Sequence, residues 1–119
     1  MATIVKRKLS GSTDGKQIKV VATATAGTTI HTAVAGTTAG TFDEIWIYAV
    51  NSSTTAVKLT IEWGQADAPD GNIEVTIQGE SGYVLVVPGL ILQNGMVVKA
   101  FAGTANVILI NGYVNSITD

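Results

Sequence analysis

Cysteine is absent from the 119-residue chain, which excludes disulfides and thiolate-ligated metals. Charge is scarce. Only 13% of residues are Asp, Glu, Lys or Arg, against about 25% in an ordinary soluble domain. Proline occurs twice, at Pro69 and Pro88, and histidine once, at His31. No other His, Cys or acid lies near His31 in sequence, so it reads as a surface or interface strand position and not as a metal ligand. No apolar run reaches the roughly 18–20 residues that cross a bilayer, and no segment holds a 3.6-residue period for three turns. Long helices and a membrane partner are therefore not expected. The opening MATIVKRKLS lacks the apolar stretch that follows the charges in a signal peptide, which makes cytosolic synthesis the expectation.

The chain is rich in Thr, Gly, Ala and Val. At this length it makes one domain with a real core. Its charge is unevenly placed. Lys6, Arg7, Lys8, Lys16 and Lys19 meet one acid, Asp14, in the first 19 residues, for a balance of +4, whereas residues 20–119 carry −6. A basic arm over residues 1–15, ending in the Gly/Ser-rich SGSTDG as a flexible hinge, thus precedes an acidic body over residues 16–119. Such asymmetry suits an acidic partner. Nucleic acid is not the expected one, because three clustered cations without interleaved aromatics on an acidic body make a poor footprint.

The stretch Thr41–Gly64 organises the rest. Val57, Leu59, Ile61 and Trp63 alternate with Lys58, Thr60 and Glu62, the period of a strand with one face buried and one wet. The other arm, Glu44–Val50, is apolar on both faces, which requires cover on both. Joined by the turn formers Asn51–Thr55, the two arms read as a central β-hairpin with Trp46 and Trp63 as core anchors. Further strands are expected over Lys16–Thr25 and Thr28–Val34 (a pair joined across Ala26-Gly27), Asn72–Gln78, Tyr83–Pro88, Met96–Ala102 and Asn106–Asn115. Asn94-Gly95 is a tight-hairpin turn signal. Gly112 inside a strand marks a bulge or a close backbone approach. Eight short strands at this spacing predict an all-β, jelly-roll-like antiparallel sandwich with an extended N-terminal arm. Two-sided apolar strands exceed what two sheets can cover, so a homo-oligomer, with a trimer as the expected number, supplies the third layer. Trp46, Tyr48, Val84 and Val86 are its candidate interface.

No arrangement for chemistry is present. G-x-S-x-G, a Walker loop and a clustered phosphate cradle are all missing. Asp67 and Asp70, in DAPDG, do not fit the ligand spacing of a calcium loop. Glu62 and Glu74 read as strand surface and not as paired glycosidase carboxylates. No cofactor, metal or catalytic residue is expected.

Three stretches, ATIVKRKLSGSTDGKQIKVVATATAGTTIHTAV, DEIWIYAVNSSTTAVKLTIEWG and GYVLVVPGLILQNGMVVKAFAGTANVILINGYVN, together resemble the small head decoration, or cement, proteins of tailed bacteriophages. The likeness spans nearly the whole chain and lies in overall pattern and AGT-rich turns. It implies a non-enzymatic protein on the outer capsid surface of the virion, a trimer at three-fold sites, clamping copies of the major capsid protein. On that reading Lys6, Arg7 and Lys8 steer docking while Ile4, Val5 and Leu9 add apolar contact. Two other classes fit the same features: a tail or head–tail connector subunit, and a carbohydrate- or receptor-binding module, against which stands the placement of every Trp and Tyr in a strand pattern.

Overall fold

The computed structural model describes residues 2–119 and contains no helix among them. Nine strands run in order: β1 Thr3–Lys8, β2 Ile18–Lys19, β3 Thr28–Thr32, β4 Phe42–Asn51, β5 Val57–Trp63, β6 Asn72–Ile77, β7 Val84–Leu92, β8 Val97–Ala102 and β9 Ile108–Thr118. They form two antiparallel sheets. The first has the order β1-β9-β4-β7, with β2 pairing β9 as well, and the second β3-β8-β5-β6. β1 and β2 lie on one side of β9, against its C-terminal and N-terminal halves.

Counted as one interrupted strand, β1 and β2 make the pairing nested. The first strand pairs with the last, then β3 with β8, β4 with β7, and β5 with β6. This is the all-β antiparallel sandwich that the strand spacing predicted, and its nested pairing is compatible with a jelly roll. Pairing of β4 with β9 and of β5 with β8 closes the roll.

The rolled topology overturns the expected central hairpin. β4 and β5 belong to different sheets, and the Asn51–Thr55 link carries the chain from one layer to the other. Asn51 explains how. Its side chain is fully buried, donates from Nδ2 to the carbonyls of Thr55 (2.8 Å) and Ile77 (3.0 Å), and accepts at Oδ1 from Ser53 N–H and Oγ. One satisfied amide thus ties the end of β4 to the end of β6 in the opposite layer. The Asn94-Gly95 turn likewise joins strands of different sheets. The expected Lys16–Thr25/Thr28–Val34 pair does not form either: β2 pairs with β9 and β3 with β8.

Between the layers lie Ile45, Ile47 and Ala49 of β4, Leu59 and Ile61 of β5, Val98 and Ala100 of β8, and Ile108, Ile110 and Val114 of β9, all fully buried. Each buried Ile or Leu contributes on the order of 1.5–3 kcal/mol. Alternation therefore picked the inner faces correctly, but not every outer one. Thr60 and Glu62, expected to be wet, are 2% exposed. Glu62 is covered by the loop before β3, accepting from Gly27 N–H at 2.6 Å and from the Thr25 hydroxyl at 2.9 Å.

The N-terminal stretch is extended as expected, but it is the edge strand of the first sheet and not a free arm. All six residues of β1 are exposed. The loop after it is not a loose hinge. Gly11 N–H donates to Ile30 O, Ser12 N–H to Leu9 O, and the Ser12 hydroxyl to Lys16 O. Leu9 is fully buried in the core.

Candidate interaction surface

Among the described residues, the outer face of the first sheet gathers several exposed apolar and aromatic side chains. Register places its side chains in rows across β1, β9 and β4. Ile4, Ile117 and Phe42 form one row. Lys6, Asn115 and Glu44 form the next, followed by Lys8, Tyr113 and Trp46. Asn111 and Tyr48 then lead to Leu85 of β7. Ile4 is 66% exposed, Ile91 57%, Tyr83 55% and Leu85 46%. Exposed apolar and aromatic side chains gathered on one face, here interleaved with the polar row of Lys6, Asn115 and Glu44, mark a candidate interaction site.

The rings are held in place. The Trp46 indole stacks on Tyr113 with centroids 6.1 Å apart and planes 14° from parallel. Beneath it β7 carries an extra residue at Gly89, where φ is +77°. A Cβ there would meet the indole at 2.8 Å, so only glycine seats the ring. The ammonium of Lys6 sits 4.3 Å from the Tyr113 centroid, a cation–π contact. Tyr48 meets Tyr83 edge-on at 6.4 Å, and the Tyr83 hydroxyl donates to Gln17 Oε1. Tyr48, Tyr83 and Tyr113 wall a shallow trough of about 410 Å³ over Asn111 and Gly112.

Glu44 is the acid of this face. It accepts from Trp46 Nε1–H at 2.8 Å and from Asn115 Nδ2 at 3.0 Å. These bonds favour the ionised form, the indole contributing most, and hold its carboxyl below the ordinary 4.5. A depressed carboxylate stabilises the fold above its unfolded pKa and loses that contribution as pH falls through the lower folded value. The stability advantage of wild type over Glu44→Gln is therefore expected to be present at pH 7 and smaller at pH 3. It should stay below about 1 kcal/mol, because the group is solvent-accessible. Urea unfolding of both proteins at the two pH values checks this; a difference that does not change with pH contradicts it.

The expected site residues separate into three groups. Ile4, Lys6 and Lys8 lie on the aromatic outer face. Val5 and Arg7 point to the opposite side, register partners of the inward-facing Ser116 and Val114. Leu9 is a core residue, so it is not available for contact with a partner. Of the expected subunit interface, Trp46 and Tyr48 are on the outer face, whereas Val84 and Val86 pack against the core. The shift comes from an irregularity in β7 between the partners of Ile47 and Tyr48, which turns Leu85 outward. Trp63 packs on the core as expected; Trp46 does not. Tyr83, Leu85 and Tyr113 are the surface residues that the sequence reading missed. Alternation outward from Gly112 would have flagged Tyr113, and Pro88-Gly89 warned of broken register in β7.

His31 is buried, not at the surface. Topology brings it to Asp43: Nε2 lies 2.7 Å from Oδ2. Its Nδ1 accepts the backbone N–H of Ser10 at 2.9 Å, so Nε2 carries the hydrogen and donates to Asp43. Ser10, His31 and Asp43 line one groove, yet the Ser10 hydroxyl accepts Thr32 N–H at 2.7 Å and the imidazole meets the Ser10 backbone instead. This trio lacks the nucleophile-to-base hydrogen bond of a catalytic triad. Among the described residues no group of three or more His, Cys, Asp or Glu could hold a metal ion, and no helix could cross a membrane.

Comparison of the chain with protein-family models, curated proteins and solved structures returns no match.

Proposed function

We propose that this protein is a non-enzymatic structural subunit of a tailed-bacteriophage virion, a decoration or cement protein on the outer surface of the capsid lattice. The reading rests on the resemblance of its three long stretches to that family. The observation that carries it is the open aromatic face of the first sheet, bordered by the basic strand β1. A protein that clamps neighbouring shell subunits needs area and matched charge more than chemistry. In this reading Trp46, Tyr48 and Leu85 meet neighbouring copies in a homotrimer, and the β1 border meets acids of the major capsid protein.

The test is occupancy on purified particles, imaged with wild-type protein and with Lys6→Glu/Arg7→Glu/Lys8→Glu. These side chains are exposed, so the variant keeps its core, whereas deletion of residues 1–14 would also remove the buried Leu9. Density repeated over the shell for wild type, and lost for the variant, supports the proposal. Density confined to the tail or portal vertex replaces it with a connector subunit. Unchanged occupancy of the variant removes β1 from the interface.

One observation favours a second reading, a carbohydrate-binding module. The Tyr48–Tyr83–Tyr113 trough opens to solvent over the Asn111 amide, offering aromatic faces and a polar group to a pyranose. A glycan array without hits, or hits that survive Tyr48→Ala, would exclude it.

A further inference from the structure

We propose that the open edge of β1 is a docking site for an extended acidic segment of a partner chain, which adds to the first sheet as a further strand. Among the described residues five strands lie at sheet edges: β1, β2 and β7 in the first sheet, β3 and β6 in the second, and β2, two residues long, is too short to template a strand. β7 contains Pro88 and two irregularities, and β3 one; each interrupts the ladder that a new strand would need. β1 and β6 are regular over six residues. Only β1 is exposed along its whole length on both faces, so an added strand meets no obstruction above or below. Its inner edge is satisfied by β9, while the N–H and C=O groups of alternate residues point outward, the template for strand addition.

Charge selects the occupant. A second β1 pairing antiparallel about Lys6-Arg7-Lys8 would set cation opposite cation, which is unfavourable. The same triplet attracts acids. Directly opposite residues in a ladder share a face, so the best antiparallel partner reads acid-acid-acid-apolar-apolar, its acids opposite Lys8, Arg7 and Lys6 and its apolar residues opposite Val5 and Ile4. This chain cannot supply that segment, since its longest run of acids is Asp43-Glu44, inside β4. The occupant is therefore a different protein. In the virion reading, on which the partner's identity alone rests, it is a segment of the shell protein.

The experiment uses the full chain, isotope-labelled, titrated with two seven-residue peptides, acetyl-TEEEVIT-amide and acetyl-TKKKVIT-amide. The expected result is saturable binding of the acidic peptide, with amide shifts and slowed hydrogen exchange confined to β1, weakening as salt is raised. The basic peptide should bind at least tenfold more weakly. In Lys6→Glu/Arg7→Glu/Lys8→Glu the preference should invert. Absence of saturable acidic-peptide binding at millimolar concentration, equal binding to the reversed variant, or shifts centred on Tyr48 and Tyr113 would each overturn the inference. So would self-association through β1 in sedimentation without peptide. The virion reading fails separately: peptide binding without capsid occupancy sinks that reading alone, and a capsid-bound protein whose β1 amides still exchange freely sinks this one alone.

Discussion

Gly112→Val is expected to destabilise the fold by at least about 3–4 kcal/mol, out of the about 5–15 kcal/mol that a domain of this kind possesses. Gly112 lies opposite Ile47 at the centre of the β4–β9 ladder, which runs without a register shift from Phe42↔Ile117 to Asn51↔Ile108. A Cβ at 112 would lie 2.0 Å from the carbonyl oxygen of Trp46, 3.0 Å from its carbon and 3.2 Å from Ile47 Cα. All three are backbone atoms and cannot rotate away. Relief requires the two central strands of the first sheet to part by well over an ångström, in a layer whose inner side chains are close-packed. Gly103→Ala is the control. Its nearest neighbour would be Lys58 O at 4.0 Å, and a change within about 0.5 kcal/mol is expected. Urea midpoints of the two variants decide the matter. Similar midpoints would mean that the approach of β9 to β4 is not as close as described. The same variant bears on the aromatic face: Trp46 and Gly112 share this crossing, so Gly112→Val should also disturb the Trp46 fluorescence environment more than any substitution on β1.

The fold class could be read from the sequence, and the sheet membership could not. Alternation in Val57–Trp63 identifies Val57, Leu59 and Ile61 as one face because side-chain direction is local, set by the pleat. Which sheet receives a strand is a non-local outcome. Asn94 and Gly95 have the positive φ of a tight turn, 62° and 65°, and Met96 N–H donates to Gln93 O at 3.2 Å. The turn chemistry was therefore legible. It reverses the chain, but the following strand pairs with β3 and β5 because the roll has placed them there. The burial of Glu62 has the same origin: its partners, Thr25 and Gly27, are more than thirty residues away in sequence. Leu9 was misread for a different reason. A single apolar residue after a basic triplet has no periodicity around it, so nothing local distinguishes a core plug from a contact residue. Of the candidate site, Trp46 and Tyr48 were legible as a surplus of apolar residues on a strand already buried on its other face. The rest of the surface depends on the irregular register of β7.

Asp43→Ala is expected to cost about 3 kcal/mol, since it leaves two donors without an acceptor. One is His31 Nε2–H, 2.7 Å from Oδ2, and the other is Val34 N–H at 3.2 Å. Asp43 belongs to β4 in the first sheet and His31 to β3 in the second, so this carboxylate is a polar bridge between the layers. It extends further, because Ser10, just past β1, donates its N–H to His31 Nδ1. Loss of the acceptor therefore loosens three segments at one end of the sandwich. Asp43→Asn separates hydrogen bonding from charge. Its amide oxygen can occupy the Oδ2 position and keep both donors satisfied, and its NH2 then falls where Oδ1 now lies buried without a hydrogen-bond partner. Bonds to a neutral acceptor are weaker than to a carboxylate, but burial of a neutral group is less costly than burial of a charge. The expected order of stability is wild type, then Asn by about 1 kcal/mol, then Ala. A double-mutant cycle with His31→Ala should show a coupling above about 1 kcal/mol. Additive effects would mean that the two side chains do not act as a pair. Because the bridge sits where β1 leaves the sheet, hydrogen exchange at Ser10 and Thr32 should quicken in Asp43→Ala well before the core amides of β4 and β9 respond, which places the weak end of the roll beside the basic strand.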